Sequence, residues 1–295
     1  MDSSAGKRLR GLVEARRALL VPGVMNALAA RVAEDVGFEA LYITGAGVTN
    51  AHLGMPDMGL ISPTQMSDTI GLIRNITELP LIVDGDTGFG NAINVWHTVR
   101  SFERAGANAI QLEDQVFPKR CGHFEGKAVI SGAEMAEKVR AAVEARKSND
   151  FLVIARTDAY ATHGLDDAMR RAELFIEAGA DITFVEAPRE IDDIRRVVET
   201  LPVPQLVNMV IGGHTPSVGL SDFRELGVGL VLYANASLQG AIQGMHNALS
   251  HLRDHGVLTE NDGLVASFAE RQRLVGIADI KEIEQRYTAT EEAEK

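Results

Sequence analysis

One pattern recurs along the chain and limits the folds that it can adopt. A stretch compatible with a helix reaches a glycine, and a short apolar run follows; four clear copies surround Gly37, Gly106, Gly179 and Gly227. A glycine just past a helix supplies the left-handed residue that lets the chain turn into a strand. The apolar runs are continuous rather than alternating, which is typical of strands buried on both faces of a parallel sheet.

The same pattern predicts strands separated by helices. The candidate strands are Leu19–Val24, Ala40–Thr44, Leu79–Val83, Ala109–Leu112, Phe151–Ala155, Ile182–Val185, Gln205–Val207 and Leu230–Tyr233. Patterns compatible with helices fill the gaps, for example Asn94–Ala105, Gly132–Arg146 and Leu165–Ala178. This alternation predicts an α/β protein with a (β/α)₈ barrel of the TIM type, and a doubly wound open sheet is the alternative.

No linker or low-complexity tract divides the 295 residues, so we expect a single barrel domain over residues 1–295. The part from approximately 241 to 295 contains more helical sequence than one barrel needs. It is predicted to be a C-terminal helical extension of the same domain.

Composition excludes several classes of function. The formal net charge of -12 argues against a nucleic-acid partner, which would need a basic face, although local cations or a metal ion still allow an anionic substrate. No apolar run is long enough to span a membrane. The single cysteine and the acidic residues Asp2 and Glu14 near the start of the chain are typical of a cytoplasmic protein without a targeting segment.

Polar residues stand where the predicted strands end. Successive strands run into Thr44, Asp84, Glu113, Arg156, Glu186 and Asn208. In a (β/α)₈ barrel the C-terminal strand ends and the loops that follow them carry the chemistry. A purely structural barrel would not need carboxylates, a guanidinium and an amide at successive positions, so this rim is the candidate active site.

Three acids of the rim, Asp84, Asp86 and Glu113, form a set of oxygen ligands without histidine or cysteine. Hard oxygen ligands suit Mg²⁺ or Mn²⁺ better than Zn²⁺, and Mg²⁺ keeps several waters, so some carboxylates would bind through water. Asp57, in the loop Gly54–Gly59, is a further candidate ligand. The alternative is that the aspartates cap the helices that follow them.

Two parts of the rim are predicted to bind anions. Arg156 ends a very apolar run, so its guanidinium would be partly buried and would need either Glu186 or a substrate carboxylate. The run Thr44-Gly45-Ala46-Gly47 offers backbone N–H groups to a carboxylate or phosphate, although a tight turn explains its glycines equally well. Neither G-x-G-x-x-G nor G-x-x-x-x-G-K-[ST] occurs, which argues against nucleotide binding.

The loop after the fourth predicted strand carries the only cysteine, Cys121. Its neighbours Lys119, Arg120 and His123 would lower the pKa of the thiol from about 8.5 toward neutrality. The thiol would then be able to deliver a proton at physiological pH. The alternative is a solvated charged loop with an incidental cysteine.

Several short motifs match those of a known protein family, and they occur in the same order along the chain. The most specific is Lys119-Arg-Cys-Gly-His123. Supporting it are Thr44-Gly-Ala-Gly47, Met55-Pro-Asp57, Asp84-Gly-Asp86-Thr-Gly-Phe-Gly90, Glu113-Asp-Gln115, Ala155-Arg-Thr157, Glu186-Ala-Pro188 and Asn208-Met209. Through these motifs the chain resembles the isocitrate lyase/phosphoenolpyruvate mutase superfamily over nearly its full length.

The resemblance implies a (β/α)₈ barrel that forms a homotetramer, in which partner subunits exchange their eighth helix. It implies Mg²⁺ held by Asp84, with Asp57, Asp86 and Glu113 acting largely through water. It also implies a small di- or tricarboxylate substrate, bound by the metal and by Thr44, Gly45, Ala46, Gly47, Gly122, His123, Arg156, Glu186 and Asn208.

The chemistry that the resemblance implies is carbon–carbon cleavage. A base removes the proton of a substrate hydroxyl, the neighbouring C–C bond breaks, and Cys121 protonates the enolate-like product on carbon. Arg156 and Glu186 are implied as further catalytic residues, with Arg156 stabilising the negative charge. The base would be a metal-linked carboxylate or Tyr42.

Differences from the motifs of individual family members reduce the number of substrates that we expect. Phosphoenolpyruvate mutases carry Asn at the position of Cys121, which favours a lyase, although carboxyphosphonoenolpyruvate mutases have a similar loop. The segments Glu186-Ala-Pro188 and Asn208–Pro216 resemble those of the group that contains 2,3-dimethylmalate lyase and petal death protein. The segment Tyr233-Ala-Asn-Ala-Ser237 differs from the Tyr-Pro-Leu-Ser of methylisocitrate lyases. We therefore expect cleavage of a 2-alkylmalate such as 2,3-dimethylmalate to pyruvate and a short carboxylic acid. The alternatives are methylisocitrate cleavage, oxaloacetate hydrolysis, phosphonate mutase chemistry, and binding of a metal–dicarboxylate without catalysis.

Overall fold

The computed structural model describes residues 3–119, 128–212 and 218–288. Its parallel strands are β1 (Leu19–Val24), β2 (Leu41–Ile43), β3 (Leu81–Asp84), β4 (Ala109–Glu113), β5 (Leu152–Thr157), β6 (Ile182–Val185), β7 (Leu206–Asn208) and β8 (Leu230–Tyr233). They form one sheet in the order β6-β5-β4-β3-β2-β1-β8-β7.

The two outer strands of this order meet, so the sheet curls into a nearly closed barrel. Thr183 of β6 and Gln205, just before β7, form an isolated parallel bridge. The Thr183 hydroxyl also donates to the side-chain oxygen of Gln205 at 2.8 Å. The predicted (β/α)₈ barrel is therefore confirmed over the open sheet.

Helices follow the strands in alternation. They are α1 (Ser3–Glu14), α2 (Ala27–Val36), α3 (Gly45–Leu53), α4 (Pro63–Arg74), α5 (Ala92–Ala105), α6 (Gly132–Ala145), α7 (Ala159–His163), α8 (Leu165–Glu177), α9 (Ile191–Thr200), α10 (Leu220–Leu226), α11 (Ala236–His255), α12 (Phe268–Leu274) and α13 (Ile277–Tyr287). The glycines of the recurring module end four of them. Gly37, Gly106, Gly179 and Gly227 have φ values of 98°, 111°, 101° and 78°, as the left-handed helix termini require.

Side chains along each strand point alternately into the barrel and toward the helices. In β2, Tyr42 belongs to the cluster inside the barrel, whereas Leu41 and Ile43 pack in the layer that includes residues of α2, α4 and α5. Leu9 and Val13 of α1 join the inner cluster. Both faces of the strands are thus buried, which explains why their sequences are apolar without alternation.

Four strands (β3, β4, β5 and β7) extend further at their C-terminal ends than the apolar runs predict. Glu113 of β4 is in register with Arg156 of β5, and Asn208 of β7 is in register with Leu232 of β8. Backbone pairing continues past the apolar residues because the neighbouring strand still offers partners. The barrel ladder therefore holds these polar residues in place.

The chain forms two compact units, Met1–Leu238 and Gln239–Lys295. The first contains the barrel. The described part of the second consists of most of α11, a 3₁₀ turn at Glu260–Asp262, α12 and α13. Among the described residues, no helix has both the length and the apolar character needed to cross a bilayer.

Candidate active site

The C-terminal ends of the strands surround a cavity of about 60 Å³, which is room for about four to six water-sized groups. The residues that line it are Tyr42, Thr44, Ala46, Asp57, Asp84, Gln111, Glu113, Lys119, Arg156, Phe184, Glu186, Asn208, Val210, Leu232, Ala234 and Asn235. The barrel thus brings most of the predicted rim residues to one small site. Two larger depressions lie elsewhere, but none of the strand-end carboxylates is among the described residues that line them.

Asp84 is the most firmly held acid of the rim. Its Oδ1 accepts hydrogen bonds from the Asp86 N–H at 3.1 Å and from Nε2 of Gln111 at 3.4 Å. Its Oδ2 accepts from the Gly45 N–H at 3.1 Å. These donors fix the carboxylate in one orientation, facing the N-terminal end of α3.

Tyr42 supports this arrangement from inside the barrel. Its hydroxyl donates to Oε1 of Gln111 at 2.7 Å, and Gln111 in turn reaches Asp84. Burial raises the pKa of Tyr42 well above its ordinary value, and the negative charge of Asp84 raises it further. The phenol is thus kept in its protonated, hydrogen-bond-donating form.

The run Thr44-Gly45-Ala46-Gly47 forms the start of a helix rather than a loop. Thr44 is the N-cap of α3, and its side chain accepts a hydrogen bond from the Gly47 N–H at 3.3 Å. A Cβ on Gly45 would lie 3.0 Å from Oδ2 of Asp84 and 3.3 Å from Oδ1 of Asp86. Only glycine at this position lets the positive end of the helix approach the acids so closely.

Lys119 links two further acids. Its ammonium group lies 2.5 Å from Oδ1 of Asp57 and 2.8 Å from Oδ1 of Asp86, and its side chain is only 4% exposed. Burial raises the pKa of Asp86 to about 7, although the charge of Lys119 opposes this rise. Asp86 also has a left-handed φ of 46°, a strained conformation for a residue other than glycine.

Glu113 and Glu186 flank the guanidinium of Arg156. Nε of Arg156 lies 3.5 Å from Oε2 of Glu113, and Nη1 lies 3.4 Å from Oε2 of Glu186. The closest partner is Asp158, which accepts hydrogen bonds from Nε at 2.9 Å and from Nη2 at 3.0 Å. The guanidinium also lies over the ring of Phe184, 5.1 Å from its centre. Arg156 is therefore oriented by Asp158 as well as by the predicted Glu186.

Only one of the two oxygens of Glu113 faces Arg156. Its Oε1 is buried without a hydrogen-bond partner in the described part of the chain. Burial raises the pKa of Glu113 well above its ordinary value, although Arg156 opposes the shift. Such a carboxylate is suited to receive a proton or to face a cation.

The donor set fits a hard divalent cation. Asp57, Asp84, Asp86 and Glu113 present only carboxylate oxygens, and one buried oxygen of Glu113 still needs a partner. Within the described residues, no three acid, histidine or cysteine side chains are arranged to hold one ion together. This arrangement fits Mg²⁺, which usually binds through one or two carboxylates and keeps several waters, and Mn²⁺ accepts similar ligands.

Three predicted site residues, Cys121, Gly122 and His123, lie outside the described residues. Lys119, the last described residue before them, reaches into the cavity.

Several residues of the site escaped prediction. Gln111 interrupts an apolar run two positions before Glu113, and Asp158 follows Arg156 by two positions. Because side chains two positions apart on a strand point to the same face, this spacing could have placed each of them beside a predicted residue. Apart from its place in the Lys119–His123 motif, the sequence indicates for Lys119 only an effect on the pKa of Cys121. Asn235, in the segment after Tyr233 that the sequence associates with substrate choice, also lines the cavity.

Comparison with known proteins adds to this geometry. A family model described as phosphoenolpyruvate phosphomutase matches residues 9–253. The chain is 40% identical over 280 residues to the 2,3-dimethylmalate lyase of Eubacterium barkeri, covering 95% of this chain and 97% of that protein. It is 42% identical over 274 residues to a 2-methylisocitrate lyase of Aeropyrum pernix, covering 93% and 88%.

A solved structure is similar over nearly the whole chain. Oxaloacetate acetylhydrolase in complex with the inhibitor 3,3-difluorooxalacetate superposes with a TM-score of 0.92 at 35% identity, covering 98% of this chain and 99% of that one. The similarity therefore includes the barrel and its strand-end rim.

Proposed function

The chain belongs to the phosphoenolpyruvate mutase/isocitrate lyase superfamily and is an enzyme of the lyase type, and we propose that it is a Mg²⁺-dependent lyase of 2-hydroxydicarboxylates. The proposed substrate is a 2-alkylmalate such as 2,3-dimethylmalate, which would be split into pyruvate and a short carboxylic acid. The observation that carries this proposal is the buried carboxylate of Glu113: its Oε1 has no hydrogen-bond partner among the described residues, and its Oε2 lies 3.5 Å from Nε of Arg156. A proton acceptor beside a fixed cation is what C–C cleavage of a hydroxy acid requires.

The cation would be held by Asp84, with Asp57, Asp86 and Glu113 contributing largely through water, and Mn²⁺ would serve in place of Mg²⁺. When bound, it would polarise the substrate and stabilise developing negative charge. The hydrogen bonds from Gly45, Asp86 and Gln111 keep Asp84 oriented for this role.

The residues of the chain divide the remaining tasks. The start of α3, from Thr44 to Gly47, and Asn208 bind the substrate carboxylates, together with Gly122 and His123. Arg156, held by Asp158 and assisted by Glu186, orients a carboxylate and stabilises the charge of the transition state. Tyr42 keeps its proton and positions Gln111 and Asp84.

Two proton transfers complete the reaction. Oε1 of Glu113 takes the proton of the substrate hydroxyl, whose oxygen becomes the keto oxygen of pyruvate as the neighbouring C–C bond breaks. The electron pair of that bond passes to the α-carbon of the leaving acid, forming an aci-carboxylate. The thiol of Cys121 then delivers its proton to this carbon, and the Glu113 proton replenishes the thiolate through solvent.

A panel of malates tests the proposal. Pyruvate release from 2-methylmalate and 2,3-dimethylmalate, and glyoxylate release from malate, are measured with coupled assays in the presence of Mg²⁺. We expect release to be fastest with an alkylated malate and to stop when EDTA is added. If the folded protein released pyruvate from none of these acids, the proposal would be rejected.

The activities of similar proteins suggest alternative substrates, which are tested alongside the malates. Methylisocitrate is included because of the 42% identity to a 2-methylisocitrate lyase. Oxaloacetate is included because of the TM-score of 0.92 to oxaloacetate acetylhydrolase, and its hydrolysis is followed by the release of acetate and oxalate. Phosphorus NMR with phosphoenolpyruvate tests mutase chemistry, which would be retained in a Cys121→Ala variant, whereas lyase activity would be lost.

We further propose that the enzyme is a cytoplasmic homotetramer whose subunits exchange a C-terminal helix. The C-terminal part of the chain, from about residue 241 onward, is proposed to be an extension of the barrel domain. Exposed apolar side chains support an intermolecular role for this part. In the second unit they include Ile242, Met245, Leu249, Phe268, Ile280 and Ile283. Sedimentation equilibrium of the full chain should give four times the monomer mass, and a monomer would refute the assembly.

A further inference from the structure

A buried acid stands beside the candidate site, and the reaction proposed above does not use it. Asp114 directly follows Glu113, but its side chain is 0% exposed and does not belong to the described residues that line the cavity. Successive side chains of an extended chain point to opposite sides, so Asp114 faces away from the cavity. A carboxylate buried in this way needs partners, and those partners show what it holds in place.

The first partners of Asp114 form the turn after β5. Its Oδ2 accepts a hydrogen bond from the Thr157 hydroxyl at 2.7 Å, and its Oδ1 accepts one from the Asp158 N–H at 2.8 Å. Asp158 is the N-cap of α7, yet its side chain makes no capping hydrogen bond to the described residues of that helix. Both of its oxygens accept hydrogen bonds from Arg156 instead. Asp114 thus fixes the backbone from which Asp158 reaches Arg156.

The third partner of Asp114 is Arg171 of α8. Its Nη1 donates to Oδ2 of Asp114 at 3.1 Å and to the carbonyl of Ile130 at 2.7 Å. Its Nε donates to Asp167, about one helical turn earlier, at 2.7 Å. The guanidinium, whose side chain is only 12% exposed, is therefore held in one orientation by three acceptors.

Arg171 compensates the negative charge on the side of Asp114 that faces away from the cavity. Asp114 and Asp158 are both 0% exposed, and two buried acids in contact repel each other strongly unless cations face them. Arg156 supplies one of these cations and Arg171 supplies the other. Without Arg171, the repulsion between the two acids would displace the turn after β5 and, with it, the guanidinium of Arg156.

We propose that Arg171 is a positioning residue for the active site: together with Asp114 it fixes the turn from which Asp158 orients Arg156. Arg171 itself lies outside the described cavity lining, so it acts through these residues rather than on the substrate. This inference rests on the proposed function, which assigns the binding of a substrate carboxylate to Arg156.

A second buried ion pair of the same kind provides a matched control. Nη1 of Arg146 donates to Oδ2 of Asp181 at 2.7 Å and to the carbonyl of Phe151 at 3.0 Å, and its side chain is 16% exposed. Arg10 also reaches Asp181 at 3.0 Å. Phe151 directly precedes β5 and Asp181 directly precedes β6, so this pair lies at the end of the barrel opposite the candidate site.

Binding of oxalate in the presence of Mg²⁺ tests the inference without requiring turnover. Oxalate is a small dicarboxylate that suits a cavity of about 60 Å³. In Arg171→Met, calorimetry should show an oxalate affinity about tenfold weaker than that of the wild-type protein. Arg171→Lys keeps the charge but loses the planar fork, so its affinity should lie between the two. Arg146→Met should stay within about twofold of the wild-type protein.

A double variant tests whether the effect passes through Arg156. Once Arg156 has been replaced by Met, no guanidinium is left to position, so adding Arg171→Met should weaken oxalate binding no further. Urea unfolding is measured for every variant, because the loss of either buried arginine also lowers stability. Arg171→Met and Arg146→Met should both unfold at lower urea concentrations than the wild-type protein, whereas only Arg171→Met should bind oxalate weakly.

Three results would overturn the inference: unchanged oxalate affinity in Arg171→Met, equal losses of affinity in Arg171→Met and Arg146→Met, or a further tenfold loss when Arg171→Met is added to Arg156→Met. A wild-type protein that bound no oxalate would also overturn it. The lyase reaction is judged separately by product release from the malates. Oxalate binding that depends on Arg171, without turnover of any acid, would leave the positioning role standing and reject the proposed function.

Discussion

The ammonium group of Lys119 lies 2.8 Å from Oδ1 of Asp86, and both side chains are at most 5% exposed. A buried charge whose partner is removed is strongly destabilising, typically by about 3–5 kcal/mol. We expect Lys119→Met to lower the free energy of unfolding of the metal-free protein by about 3 kcal/mol. Urea unfolding in EDTA measures this loss, with Lys7→Met at an exposed position of α1 as the control.

The same variant tests whether the acids accept a cation. Mg²⁺ would replace the missing positive charge, so it should raise the melting temperature of Lys119→Met more than that of the wild-type protein. An equal Mg²⁺ effect on both proteins would contradict a cation site among Asp57, Asp84 and Asp86.

Gly45 provides a steric test of the acid cluster. A methyl group at this position would lie 3.0 Å from Oδ2 of Asp84, so Gly45→Ala should displace the carboxylate. We expect Mg²⁺ affinity, measured by calorimetry, to fall about tenfold. Gly71→Ala in α4 is the matched control, because a Cβ there meets no atom within 4 Å, and it should gain about 0.5–1 kcal/mol of stability. Identical Mg²⁺ affinities in the two variants would rule out the proposed packing.

Asp114 should make stability depend on pH. Its carboxylate accepts hydrogen bonds from the Thr157 hydroxyl at 2.7 Å and from the Asp158 N–H at 2.8 Å, yet burial raises its pKa to about 6. Because the folded protein then binds this proton more tightly than the unfolded chain, the free energy of unfolding falls as pH rises from about 4 to about 6. The decrease in the free energy of unfolding is on the order of 3 kcal/mol. It is complete above about pH 6, where this group causes no further change.

Replacing Asp114 with Asn removes the titrating group and keeps its shape. Urea unfolding is measured at a series of pH values in EDTA. Between about pH 4 and about pH 6, the free energy of unfolding of the wild-type protein should fall relative to that of Asp114→Asn. Parallel profiles for the two proteins would show that Asp114 titrates at its ordinary pKa.

The sequence was sufficient to predict the barrel because its strands are buried on both faces and its helices end at glycine. It also predicted the acids of the rim, since Asp84 and Glu113 directly follow apolar runs. It could not place Lys119 between Asp57 and Asp86, because that contact joins three separate loops. It indicated that the segment after Tyr233 helps to select the substrate, but the position of Asn235 depends on the packing of Gly23 against Ala234, which no local spacing reveals.

The central claim is that the chain cleaves a C–C bond of a 2-hydroxydicarboxylate and protonates the leaving carbon. Proton NMR of the wild-type protein with 2,3-dimethylmalate and Mg²⁺ in deuterated water tests both parts directly. We predict equal amounts of pyruvate and propionate, with one deuterium on C2 of the propionate, and no products from Cys121→Ala. Unchanged 2,3-dimethylmalate after prolonged incubation with the wild-type protein, or full activity in Cys121→Ala, would contradict the account.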